Sequence, residues 1–115
     1  MDPVVIEVCR LIRIDHYQAA DMLWEREHAG RRHEGRGTAS GGRASAIGDD
    51  TLTIARTFLE RAEELERTNA VQAREAAQRA NQWARQAATD LEDPDAPAVQ
   101  DVAKRVKRLA RALNR

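Results

Sequence analysis

Cysteine occurs once in 115 residues, at Cys9, so no disulfide can form within the chain and no zinc site can be built on cysteine pairs. Aromatic residues make up 3%, and Tyr17, Trp24, Phe58 and Trp83 are the whole set, so any core must be small and largely aliphatic. An excess of one charge is also missing. Lys+Arg 19 cancels Asp+Glu 19, which removes the simplest argument for nucleic-acid binding, a basic protein overall. The longest apolar run covers only residues 3–6, against about 20 needed to span a bilayer. The opening Met-Asp-Pro, with Glu7 close behind, lacks the basic stretch and apolar run of a secretory signal. These absences lead to the expectation of a single-domain, soluble, cytoplasmic protein with no membrane partner.

Glycine and proline are present but segregated. All six glycines lie between Gly30 and Gly48, and proline is confined to Pro3, Pro94 and Pro97. The breakers divide the chain into residues 1–29, 30–49 and 50–115. The middle segment combines its glycines with Arg31, Arg32, Arg36 and Arg43 and has almost no large apolar residue except Ile47. That composition reads as a flexible tether. Its text weakly resembles an arginine-glycine RNA-binding segment but lacks aromatics and true repeats, so an ordinary linker is favoured.

The flanking segments read as helices. In residues 2–29, Asp2-Pro3 suits a helix start, and Val5, Val8, Ile12, Ala19, Ala20 and Leu23 follow at helical spacing toward a stop at Gly30. The β-branched opening 4–8 would also suit a strand, but no partner strand is visible. Residues 50–92, with Asp49 or Asp50 as cap, are dominated by strong helix formers. There Ile54, Phe58, Ala62, Leu65, Asn69, Ala73, Ala76, Ala80, Ala84, Ala87 and Leu91 recur at steps of three and four. The steps sum to an eleven-residue repeat and predict one long central helix, on the order of 60 Å. In the last segment Val99, Val102, Val106, Leu109 and Leu113 define an amphipathic helix, expected to lie antiparallel on the Ala-rich half of the central one. The fold class is therefore all-α: an elongated helical hairpin or bundle, with the N-terminal helix tethered by the Gly/Arg-rich loop.

Candidate chemistry is sparse. Glu25 and His28 spell Glu-x-x-His with Asp21 on the same face, but the second copy that a di-metal bundle needs is missing, so no metal is expected. Cys9 has no histidine nearby to activate it and reads as a buried structural thiol. Asp15, His16 and Tyr17 would not converge as neighbours on one helix. No P-loop or Gly-x-Gly-x-x-Gly pattern occurs. With no acid, base and nucleophile grouped, the expected function is non-enzymatic, without cofactor or small-molecule substrate. The sixteen stripe positions from Ile54 to Leu113 predict a helical assembly or adaptor protein, pairing with itself or with another helical chain. Asn69 would interrupt that stripe either as a register-setting polar residue or by turning to water. The alternative is a small nucleic-acid-associated protein. Lys104, Arg105, Lys107, Arg108 and Arg111 give the last segment a local excess of positive charge that could follow a phosphate backbone, or could instead face the acidic stretch 60–66.

Overall fold

The computed structural model describes residues 3–34, 41–93 and 95–114, with side chains for 3–27, 48–93 and 95–114. Five helices account for nearly all of it: α1 (Pro3–Arg13), α2 (Tyr17–Glu34), α3 (Gly41–Leu65), α4 (Ala70–Leu91) and α5 (Pro97–Leu113). No strand occurs among the described residues, so the β-branched opening is helical. None of these helices is long and apolar enough to cross a membrane.

The N-terminal segment is two helices. α1 buries Val5, Val8, Cys9 and Ile12, the i, i+3, i+4, i+7 face of an amphipathic helix. It stops at Asp15, which has left-handed backbone at φ 66°. There the Asp15 N–H donates to the Ile12 carbonyl at 3.0 Å and the His16 N–H to the Leu11 carbonyl at 2.9 Å. This is the paired closure that usually employs glycine. α2 then passes through Gly30, the expected stop, to Glu34. Residues 30–34 and 41–49, read from composition as tether, are therefore helical, while 35–40 lie outside the described residues. Glycine costs only about 1 kcal/mol per helical position, too little to end a helix whose other residues favour it. Asp49 and Asp50 are consequently interior to α3 and not at its start.

The single long central helix does not form. α3 ends at Leu65, and the chain reverses through residues 66–69 into α4. Asn69 is exposed and is the N-cap of α4, its side chain accepting the Gln72 N–H at 3.2 Å. Asparagine is among the best residues for that position. The eleven-residue repeat is thus two shorter stripes on separate helices, Ile54 to Leu65 and Ala73 to Leu91, which fold face to face. Phe58, Ile54 and Leu59 are fully buried, each contributing about 1.5–3 kcal/mol. The small Ala73, Ala76, Ala80, Ala84 and Ala87 let the backbones approach. Gly48 does the same at the far end: a Cβ there would lie 2.5 Å from Leu91 Cγ and 3.2 Å from its backbone nitrogen.

α5 begins with Pro97 at its first turn and covers α3 and α4 with Val99, Val102, Val106, Leu109 and Leu113. α1 packs on α3 from the same chain, with Cys9 Sγ 3.3 Å from Thr57 Oγ1. Because the chain folds back at 66–69, the longest dimension is 49 Å and the radius of gyration 14.4 Å. The latter is only slightly above the ~13 Å of an ordinary domain of this length.

Candidate nucleic-acid interface

The cations of α5 owe their placement to its apolar spacing. Steps of three and four from Val99 to Leu113 keep those five side chains on one side of the helix, all buried. At about 100° per residue, Lys104, Lys107, Arg108 and Arg111 fall within an arc opposite that side. All four are exposed, and among the described residues none forms an ion pair. From Lys104 to Arg111 they run roughly 10 Å along the helix. The fifth expected contact behaves differently. Arg105 turns toward α3, where Nη2 donates to Glu63 Oε1 at 2.5 Å, and its Nη1 lies 3.8 Å from Asp101. The acidic stretch at the end of α3 therefore engages one cation of α5 and leaves four.

The expected pairing stripe has the opposite fate. Ile54, Phe58, Ala62, Leu65, Ala73, Ala76, Ala80, Ala84, Ala87, Val99, Val102, Val106, Leu109 and Leu113 are buried within this one chain. Leu91 is partly buried and Asn69 is exposed. The surface meant for a companion is covered by the chain's own helices.

A second cluster was not apparent from spacing. Arg61 donates from Nε and Nη2 to the two Asp15 carboxylate oxygens at 2.7 and 2.9 Å, and the Tyr17 hydroxyl donates to Asp15 Oδ1 at 3.0 Å. Asp15 and Tyr17 do converge, because the chain turns between them and does not continue as one helix. One turn further, Asp21 Oδ1 accepts the Trp83 indole N–H at 3.2 Å, and Oδ2 lies 3.3 Å from Arg79 Nε. That Arg79 nitrogen is buried and poorly angled for a hydrogen bond, so the contact is an ion pair without one. The Arg79 guanidinium stands 5.7 Å from the Tyr17 ring centre. Tyr17 meets Phe58 edge-on, Phe58 stacks with Trp83, and Trp83 meets Trp24 edge-on. All four aromatics thus join one seam that fastens α2 to the α3–α4 hairpin. The i, i+4, i+7 spacing of Tyr17, Asp21 and Trp24 puts them on one helical face but names no partner; Arg61, 46 positions from Asp15, and Arg79, 58 from Asp21, had no local signal.

The electrostatics of that seam are those of a clamp. Hydrogen bonding from Arg61 holds the Asp15 carboxyl below its usual range, and the same contact raises Arg61. Burial, with help from Asp15, pushes the Tyr17 phenol up to about 12. Burial also raises Asp21, against the pull of Arg79. These shifts favour the ionised form of Asp15 and the protonated form of Tyr17.

No group of three or more His, Cys, Asp or Glu side chains suited to a metal occurs among the described residues. Asp21 is engaged by Arg79 and Trp83, Glu25 is exposed, and the side chain of His28 lies outside the described residues, as does the arginine-glycine text at 35–40. Cys9 is buried beside Thr57, whose hydroxyl donates to the Thr53 carbonyl at 2.9 Å, leaving the thiol hydrogen directed at Thr57. No protein-family model, curated protein or solved structure matches the chain.

Proposed function

We propose that this chain is a small nucleic-acid-associated protein that docks on phosphates through the outer face of α5. The carrying observation is the row Lys104, Lys107, Arg108 and Arg111: exposed, without ion-pair partners among the described residues, and backed by a rigid apolar face. Exposed cations on a packed helix lose little side-chain freedom to internal pairing and can displace counterions from a phosphate backbone. The proposal includes a reducing, cytoplasmic setting for the single buried thiol. It is tested by fluorescence anisotropy of labelled nucleic acid at low salt. Binding that weakens steeply with added salt, and that is lost in the Lys104→Glu, Arg108→Glu double variant, supports it. Absence of binding at low salt, or binding indifferent to that variant, overturns it.

The second reading is a helical assembly or adaptor module. Its original surface is taken up internally, so it now rests on Ile6, Ile14 and Met22, exposed at 54%, 47% and 61% on and between α1 and α2. Scattered apolar exposure is ordinary on folded proteins, which makes this the weaker of the two. Mass measured by light scattering across a concentration series separates them: a constant monomer mass counts against the adaptor.

A further inference from the structure

The geometry points to a basic surface that spans two helices, with Arg74 and Arg85 of α4 joining the α5 row to hold the backbone of a nucleic-acid duplex. This inference rests on the reading just given. Both arginines lie in residues 50–92, where 8 acidic residues outnumber 6 basic ones, so composition hides them. Arg74 and Arg85 are eleven residues apart and so share a side of α4, about 120–140° from its buried centre at Ala80. Arg74 Nη2 donates to the Leu113 carbonyl at 2.7 Å, which identifies that side as the one facing α5. Arg79 and Trp83, which meet α2, lie on the other side.

α5 has a matching orientation. Arg105 reaches Glu63 of α3, so the flank carrying Lys107 and Arg111 is the one toward α4. Two rows of cations therefore face out from the α4–α5 pair, roughly 8–10 Å apart as packed helices are. The three carboxylates within α4 and α5 are directed elsewhere: Glu75 to Arg79, Asp90 to Thr51 and Gln86, and Asp101 to Arg105, while Glu92, Asp93 and Asp95 stand at the turn between the helices. Arg85 is exposed and has no ion-pair partner among the described residues. The partner is assigned as a duplex because all four aromatics are buried in the seam with α2. This face offers no aromatic ring on which unpaired bases could stack, so it is suited to phosphates more than to bases.

The test uses the full chain, a labelled duplex of about 20 base pairs, the matching single strand, and vesicles containing anionic lipid. Six phosphate contacts predict that duplex affinity falls about 10³-fold between about 50 and 200 mM salt, where four contacts predict about 10². Arg85→Ala should reduce the slope of log affinity against log salt by about one unit, and Arg85→Lys should restore it. Circular dichroism checks that each variant keeps its helices. A slope that Arg85→Ala leaves unchanged, while Lys104→Ala with Arg108→Ala lowers it, overturns the two-helix surface and spares the α5 reading. Tighter binding to the single strand overturns the duplex assignment alone. Binding to vesicles without binding to either nucleic acid overturns both.

Discussion

Arg61 grips Asp15 with two near-parallel hydrogen bonds, 2.7 and 2.9 Å long, at the residue whose left-handed backbone closes α1. One side chain thus ties the α1–α2 corner to the C-terminal end of α3. Both partners are about three-quarters buried, which shields the pair from solvent more than an ordinary surface bridge. Asp15→Ala should lower stability by about 1–2 kcal/mol, read as a shift in the urea midpoint. An unchanged midpoint would show the clamp to be incidental.

The pH dependence has a defined sign. Asp15 is lowered, chiefly by Arg61, so its contribution is complete above the ordinary aspartate value near ~3.9 and is lost as pH falls through its lowered value. Asp21 is raised, chiefly by burial, so its contribution is complete below ~3.9 and is lost as pH rises through its raised value. Asp15→Asn should therefore flatten the acid side of the stability curve. Asp21→Asn should gain on the wild type as pH climbs from about 3 toward neutrality. Denaturant midpoints across pH decide it, and parallel curves for all three proteins would contradict both assignments.

At Asn69 the sign of one substitution distinguishes a turn from a continuous helix. Asn69→Ala removes the cap of α4 and should cost about 0.5–2 kcal/mol. Were residues 50–92 one helix, the same change would stabilise it by a few tenths of a kcal/mol. Asn69→Asp should be tolerated, since its carboxylate can accept the same N–H.

Gly48→Ala should also run against helix propensity. In a free helix the change is favourable by about 1 kcal/mol, but here the added methyl meets Leu91. We expect a net loss of about 1–2 kcal/mol, with part recovered in the Gly48→Ala, Leu91→Ala double variant. Strictly additive effects would mean that the two helix ends are not in contact.

Glu92 closes α4 with φ 55°, its own N–H reaching the Thr89 carbonyl at 3.1 Å and the Asp93 N–H reaching the Ala88 carbonyl at 3.1 Å. Glycine adopts that backbone without the Cβ clash. Glu92→Gly should therefore raise stability by about 0.5–1 kcal/mol despite glycine's larger unfolded-state freedom. A fall in thermal midpoint would argue that this closure is not populated.

Residue spacing was enough to assign an all-helical chain and the buried faces of α1 and α5, because apolar period and propensity are local properties. Val99 to Leu113 and Val5 to Ile12 lie where their steps of three and four place them. The reversal at 66–69 was not legible the same way. A stripe running in phase across Asn69 is equally consistent with one helix or two, and the free energy separating them comes from contacts such as Phe58 with Trp83 that bring distant residues together. The glycines misled for a related reason. Gly48 looks like a breaker by composition but acts as clearance for Leu91, a role visible only once α4 has folded back beside it. The proposed basic surface follows the same division: α5 announces its own cations, whereas Arg74 is brought to the end of α5 only by helix packing, which ignores distance along the chain.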